Sequence, residues 1–119
     1  MLQDTATTEE NYKRFIKRVL EFKKVWGLRH TDGGWATCPS HEHEDTDVYV
    51  FWSDEAYARR QCKKEWEDYI PTAIDLESFI DNWLKGMHND GYLVGPNWDA
   101  NLFGKEIEPI EIAELLTSS

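Results

Sequence analysis

One segment of the chain carries side chains of the types that bind metal ions. Cys38, His41 and His43 offer a thiolate and two imidazoles, which are ligands that zinc prefers. The segment has neither the paired Cys-x-x-Cys nor the His-Glu-x-x-His spacing of helical zinc sites, and it lacks the spaced acids of a calcium-binding EF-hand loop. We therefore predict no metal and no other cofactor, and keep these three residues as the alternative.

Acidic side chains lie between and after these residues, up to Asp47, and give the middle of the chain its negative charge. The formal net charge is -10, and residues 30–58 contain seven Asp or Glu and no Lys or Arg. This balance argues against nucleic acid as a partner, because phosphate contacts require Lys and Arg. A negative surface instead steers basic proteins toward it, and aromatic side chains add the desolvated contact. The predicted partner-binding residues are Glu42, Glu44, Asp45, Asp47, Trp52, Asp54 and Tyr57.

The six tryptophans divide into two groups by their place in the sequence pattern. Three lie on apolar stripes at helical spacing and are predicted to fill the core: Trp26, Trp66 and Trp83. The other three lie on predicted strands or loops, where tryptophan either packs inside or lines a binding pocket. Glu55, in the first turn of the helix predicted after Ser53, adds one carboxylate on the apolar side of that helix. The pocket candidates are thus Trp35, Trp52, Glu55 and Trp98.

The residues typical of nucleophilic catalysis do not occur in a catalytic arrangement. The chain has no Gly-x-Ser-x-Gly motif, and Ser53 is better explained as a helix cap than as a nucleophile. Cys62 lies on the apolar side of a predicted helix, which favours a core thiol. We predict that Cys38 and Cys62 are reduced, with a bridge between them as the alternative. No catalytic residue is assigned, and a non-enzymatic role is favoured.

The element that must position these residues is a buried strand over residues 48–52 that leads directly into a helix. Its β-branched and aromatic residues suit a strand covered on both faces, and Ser53 is a favoured helix cap. Helical spacing predicts that the helix continues to Tyr69. Its predicted apolar face consists of Ala58, Cys62, Trp66 and Tyr69.

Other segments surround this strand and helix. Thr7 and Glu10 form a capping-box pattern before an amphipathic helix that extends to Trp26. Residues 25–29 and 35–38 flank two glycines and predict a β-hairpin. Residues 70–74 predict a strand, and Asp75 and Gly91 bound a further helix.

The C-terminal third completes the predicted domain. Residues 92–94 predict a strand, residues 102–107 a bent strand, and Pro109 opens a last helix. We predict a single α+β domain over residues 1–119, with frayed tails at 1–6 and 117–119. Its mixed or mainly antiparallel sheet has about four to five strands covered by about three to four helices.

Several segments together resemble the bacterial family called domain of unknown function 2750. The matching segments are Val25-Trp26-Gly27-Leu28, Gly34-Trp35-Ala36, Glu44-Asp45-Thr46-Asp47-Val48, Phe51-Trp52-Ser53-Asp54-Glu55-Ala56-Tyr57-Ala58, Asn82-Trp83-Leu84 and Val94-Gly95-Pro96-Asn97-Trp98. The resemblance covers roughly residues 10–116. It implies a small bacterial cytoplasmic domain and supplies no catalytic residue, and His41 and His43 lie outside its pattern.

These observations lead to two functional hypotheses. The first is a non-enzymatic protein interaction module, of the immunity or antitoxin kind that neutralises a basic toxin. The alternative is a small-ligand or metal-binding domain with a pocket near Trp35, Trp52 and Trp98. No segment has the apolar run of a signal peptide or a membrane span, which predicts a cytoplasmic protein that contacts no membrane. The partner's identity and the oligomeric state stay open.

Overall fold

The structure is a computed structural model that describes residues 5–117, and these residues form five strands and four helices. The strands are β1 (Lys24–His30), β2 (Thr37–Pro39), β3 (Asp47–Phe51), β4 (Tyr69–Asp75) and β5 (Leu93–Pro96). The helices are α1 (Thr5–Phe22), α2 (Glu55–Arg59), α3 (residues 76–90) and α4 (Pro109–Thr117). A short 3₁₀ turn covers Lys64–Trp66. None of the described helices is both long and apolar enough to cross a membrane.

The strand predicted to be central, β3, lies in the middle of a three-stranded sheet. It pairs antiparallel with β2 and parallel with β5, while β1 and β4 form a separate antiparallel pair. The two sheets meet where Trp26 and Trp52 exchange backbone hydrogen bonds of 2.8 Å in each direction. The α+β class and the mixed sheet are therefore confirmed.

Alternate side chains of β3 enter two different hydrophobic clusters. Phe51 belongs to the first cluster, with buried residues of α1, α3 and α4. Val48, Val50 and, directly after β3, Trp52 belong to the second cluster on the other side of the strand, with Leu28 and other buried residues. Because side chains alternate across a strand, β3 must be apolar on both faces to separate the two clusters. This requirement explains the near-continuous apolar run at residues 48–52 of the sequence.

The helix after β3 is much shorter than predicted. α2 ends at Arg59, and Lys64 takes a φ of 54°, through which no α-helix continues. A longer helix would place Arg59 beside Lys63 and Arg60 beside Lys64, and like charges one turn apart destabilise a helix. The residues predicted for its apolar face still pack against the second cluster, from a turn and a strand: Cys62, Trp66 and Tyr69.

The predicted helix caps are correct at α3 and wrong at α1 and α2. Asp75 caps α3 by accepting the Ser78 backbone N–H at 3.0 Å, and Gly91 ends α3 with a φ of 80°. α1 is already helical at Thr5, so Thr7 does not cap it. α2 begins after Asp54 rather than Ser53, and the Asp54 side chain accepts no capping hydrogen bond.

Two strand predictions also need correction. The chain turns back at residues 31–34 as predicted, but Thr37–Pro39 then pairs with β3 and leaves β1, whose main partner is β4. Residues 102–107 form no strand, since only Ile107 bridges to Val94. The tails predicted to fray lie mostly outside the described residues, although Thr5, Ala6 and Thr117 are helical.

Candidate binding pocket

The acidic loop, residues 40–47, runs from the end of β2 to the first residue of β3, and hydrogen bonds hold its first residues in place. Glu106 accepts hydrogen bonds from the Ser40 hydroxyl at 2.5 Å and from the His41 backbone N–H at 2.7 Å. The same hydroxyl oxygen accepts the backbone N–H groups of Glu42 and His43 at 3.0 and 2.9 Å. One carboxylate therefore fixes the start of the loop.

The carboxylates of this loop point into solvent. The four are Glu42, Glu44, Asp45 and Asp47, and all are exposed. Within residues 5–117, no Lys, Arg or His side chain forms an ion pair with any of them. Asp45 has a φ of 59°, a conformation that Asp and Asn tolerate better than most residues. The loop thus presents negative charge that no described neighbour neutralises.

An aromatic pocket of about 300 Å³ opens between the three-stranded sheet and α3. Its aromatic walls are Trp35, Tyr49, Trp83 and Tyr92. The Trp35 and Trp83 rings meet edge to face with centroids 4.6 Å apart, and the Tyr49 and Tyr92 rings do so at 5.1 Å. The rest of the lining comes from α3: Asn82, Gly86, Met87 and Asp90.

An irregular turn of α3 carries two of the lining residues. Phe79–Leu84 is π-helical, and Asn82 and Trp83 lie within it. The buried Phe51 ring packs edge to face against Trp83 at 5.7 Å, which holds this indole from the core side. π-helical turns occur frequently at functional sites, and here the turn lies directly against the pocket.

Negative charge borders the pocket from both the sheet and α3. Asp47 and Tyr49 lie two residues apart on β3 and so share a face of the strand. Burial raises the pKa of the Tyr49 hydroxyl, and the nearby Tyr92 and the charges of Asp47 and Asp90 raise it further. The end of the acidic loop and the end of α3 therefore both act on the pocket wall.

Residues 12–116 match the family model described as Protein of unknown function (DUF2750). The chain belongs to this family. The matched part contains the acidic loop, the central strand and every residue of the aromatic pocket. No curated protein and no solved structure significantly matches the chain.

In this DUF2750 chain, the tryptophans of the predicted pocket lie in two places. Trp35 lines the pocket, but Trp52 and Trp98 are completely buried in the second cluster. The Trp52 indole N–H donates to the Trp98 carbonyl at 3.0 Å, so both belong to the core, and Trp52 presents no surface to a partner. The second indole at the pocket is Trp83, which the helical stripe predicted as core.

Two carboxylates predicted for the site make ion pairs on α2 and beside it. Glu55 is exposed and pairs with Arg59, so it does not reach the pocket. Asp54 accepts two hydrogen bonds from Arg18, at 2.8 and 2.6 Å. Tyr57 is half-buried beneath the guanidinium of Arg60, 5.3 Å from its ring centroid. These residues therefore lie among cations and do not extend the negative surface of the loop.

The three alternative metal ligands of the DUF2750 chain do not form a metal site among the described residues. The His41 ring packs near Trp98 and Phe103, with centroids 5.9 and 5.5 Å away. Burial, with the charge of Glu65, raises the pKa of the Cys38 thiol to about 11, whereas zinc binds the thiolate. In the part of the chain described here, no three His, Cys, Asp or Glu side chains are placed to hold a metal ion.

We predict that Asp54→Asn makes the unfolding free energy less dependent on acid pH. Burial raises the pKa of Asp54, but hydrogen bonds from Arg18 and Ser53 outweigh burial and hold it below its usual value. The ionised carboxylate therefore stabilises the fold above the unfolded pKa of about 3.9, and this stabilisation disappears as the pH falls through the lower folded value. Urea unfolding between about pH 5 and pH 2 should show a steeper loss for the wild type than for Asp54→Asn.

The control for this prediction is Asp81→Asn. Asp81 is exposed, and among residues 5–117 it has no ion-pair partner. Its replacement should leave the pH profile of the wild type unchanged. Parallel profiles for the wild type and Asp54→Asn would contradict the prediction.

Proposed function

We propose that this DUF2750 protein is a non-enzymatic binding protein of the immunity or antitoxin kind. Its partner is a basic protein. One observation carries the proposal: a loop of four exposed, unneutralised carboxylates ends at Asp47, beside an open aromatic pocket. Charge of one sign accelerates the encounter with an oppositely charged protein, and aromatic side chains supply the desolvated contact. The two features meet on one face of the molecule.

The lining of the pocket favours binding over catalysis. It contains one carboxylate, Asp90, and no His, Cys, Ser or Lys. Asp90 is exposed, whereas catalytic acids and bases are usually tuned by burial or by a paired charge. Four aromatic rings, by contrast, are what a recognition surface uses to bury area with little loss of side-chain entropy.

The proposal predicts that partner binding depends on where the negative charge lies. The loop variant replaces the four loop carboxylates by their amides: Glu42→Gln, Glu44→Gln, Asp45→Asn and Asp47→Asn. Asn at position 45 keeps a residue that tolerates the positive φ. The control variant replaces four exposed acids elsewhere: Glu65→Gln, Glu67→Gln, Asp68→Asn and Glu77→Gln. Each variant changes the formal charge from -10 to -6.

We would capture partners from cells of the source bacterium and then reconstitute binding with each purified partner. The expected partner is a basic protein whose association rate with the loop variant falls about tenfold or more at low salt. The control variant should retain most of the wild-type rate. An unchanged list of partners and unchanged rates for the loop variant would remove the acidic loop from the proposed function.

A further inference from the structure

We infer that the aromatic pocket binds the guanidinium group of an arginine side chain, presented by the basic partner. The inference rests on the proposed function and names the group that the pocket takes. Four observations carry it: the aromatic walls, the bordering carboxylates, the size of the cavity, and a glycine that leaves the cavity open.

The walls of the pocket suit a cation. Each indole or phenol face carries the negative part of the ring quadrupole, and a cation within about 6 Å of a ring centroid is attracted to it. The Trp35 and Trp83 rings stand 82° apart, and the Tyr49 and Tyr92 rings 68° apart. Ring edges and faces therefore border the same space from several directions.

The charge at the pocket has the sign that a cation requires. Asp90 lines the pocket, and the charges of Asp47 and Asp90 both act on Tyr49 in its wall. Arg29 lies over the Trp35 ring, with its guanidinium carbon 5.6 Å from the ring centroid, but it does not line the pocket. It demonstrates that this indole accepts a guanidinium, and it leaves Trp83, Tyr49 and Tyr92 for the bound cation.

Hydrogen-bonding groups at the pocket favour guanidinium over other cations. Asp90 offers carboxylate oxygens, and Asn82 offers an amide oxygen. A guanidinium stacks on rings and carries five N–H donors, whereas a Lys ammonium is more strongly hydrated and a quaternary ammonium has no N–H to donate. The volume of about 300 Å³ is at the lower limit of small-molecule pockets, which suits one side chain.

Gly86 keeps the pocket open. It lies inside α3, where glycine lowers helix stability by roughly 0.5–1 kcal/mol relative to alanine. A Cβ added at Gly86 would meet no atom within 4 Å, so packing does not require the glycine. A bulky side chain at this position would instead extend into or across the cavity that Gly86 lines.

The test is an NMR titration of the full chain with small probes. The six indole N–H signals report on the six tryptophans separately, so Trp52 and Trp98 in the closed core serve as internal references. N-acetyl-arginine amide should shift the Trp83 signal, and also the signal of Trp35, whose ring contacts that of Trp83, with a dissociation constant of roughly 1–10 mM. The uncharged citrulline analogue should not shift them.

Other probes separate the competing ligands. N-acetyl-lysine amide and tetramethylammonium should bind more weakly than the arginine probe, and equal or stronger binding by either would overturn the assignment to guanidinium. Free L-arginine should bind no better than the blocked arginine. Stronger binding of the free amino acid would overturn the assignment to a partner's side chain in favour of a small-molecule site.

Variants locate the binding in the pocket. Gly86→Phe should weaken binding of the arginine probe by about tenfold or more, while Gly86→Ala, its matched control, should stay within about twofold. Asp90→Asn, which leaves every wall in place, should weaken it by about threefold, and Asp81→Asn on the same helix should not. Unchanged affinity for both Gly86→Phe and Asp90→Asn would overturn the inference.

Failure of the inference can be told from failure of the proposed function. If the captured partner loses affinity for the loop variant but binds Gly86→Phe as well as the wild type, the proposed function stands and the pocket assignment is wrong. If the loop variant retains all partners, the proposed function itself is wrong. The pocket assignment is confirmed when Gly86→Phe slows neither folding nor encounter but increases the dissociation rate of the partner.

Discussion

Replacing Trp98 by alanine should lower the free energy of unfolding by about 3–5 kcal/mol, a large part of the roughly 5–15 kcal/mol that stabilises a typical domain. The Trp98 indole is completely buried, and its N–H donates to the Lys105 carbonyl at 2.8 Å. Removing it leaves a cavity in the second cluster and one carbonyl without its donor. Guanidinium unfolding followed by far-UV circular dichroism measures the loss. A loss below about 1 kcal/mol would contradict the prediction.

The Trp98 indole also leaves no room for a side chain at two glycine positions, which provides a double-mutant test. A Cβ at Gly95 would lie 2.6 Å from Trp98, and one at Gly104 would overlap Trp98 Cδ1. Gly104→Ala alone should therefore destabilise the protein by about 1–3 kcal/mol. In the Trp98→Ala background the same change should have almost no effect, because the clashing ring is gone. Additive losses would show that Gly104 is needed for a reason other than Trp98.

Replacing Asn97 by alanine should lower the free energy of unfolding by about 2–4 kcal/mol. Asn97 is buried and has a φ of 49°, which alanine adopts only with strain. Its side-chain oxygen accepts the Ser53 backbone N–H at 2.8 Å, and its amide donates to the Ser53 hydroxyl at 3.1 Å. Alanine removes both bonds and leaves a buried N–H without a partner.

Glycine at position 97 separates the two causes. Asn97→Gly loses the same hydrogen bonds but adopts the positive φ without strain, so it should be about 1 kcal/mol more stable than Asn97→Ala. Both variants are measured by the same guanidinium unfolding. Equal stabilities would show that backbone strain is absent at this position, and losses under about 0.5 kcal/mol for both would show that the contact with Ser53 stabilises nothing.

The contact between Asn97 and Ser53 also shows why the sequence pattern predicts the wrong cap for α2. Ser53 has the residue type and the position of an N-cap, and local pattern alone favours that role. In the fold, its backbone N–H and its hydroxyl are bonded to a residue 44 positions away, and its hydroxyl donates to Asp54. A bond between residues so distant in the chain leaves no periodic trace in the sequence.

The sequence predicts the candidate pocket only in part, for a similar reason. The prediction is right for Trp35, but a helical stripe makes Trp83 look like a core residue, and positions on a predicted strand or loop make Trp52 and Trp98 look available for a pocket. A helical stripe identifies the side of a helix that faces the sheet, and does not tell how tightly each part of that side is covered. The signal that points to the opening is Gly86, one turn after Trp83 on the same stripe.

The sequence by itself determined the α+β class, the buried strand β3, the cap at Asp75, the helix end at Gly91 and the acidic loop. These follow from backbone preference, hydrophobic period and formal charge, which neighbouring residues define. Only the tertiary structure decided that Trp52 and Trp98 close the core while Trp35 and Trp83 meet at an opening. That outcome depends on the parallel pairing of β3 with β5 and on how α3 packs across them, because a pocket consists of space between distant segments.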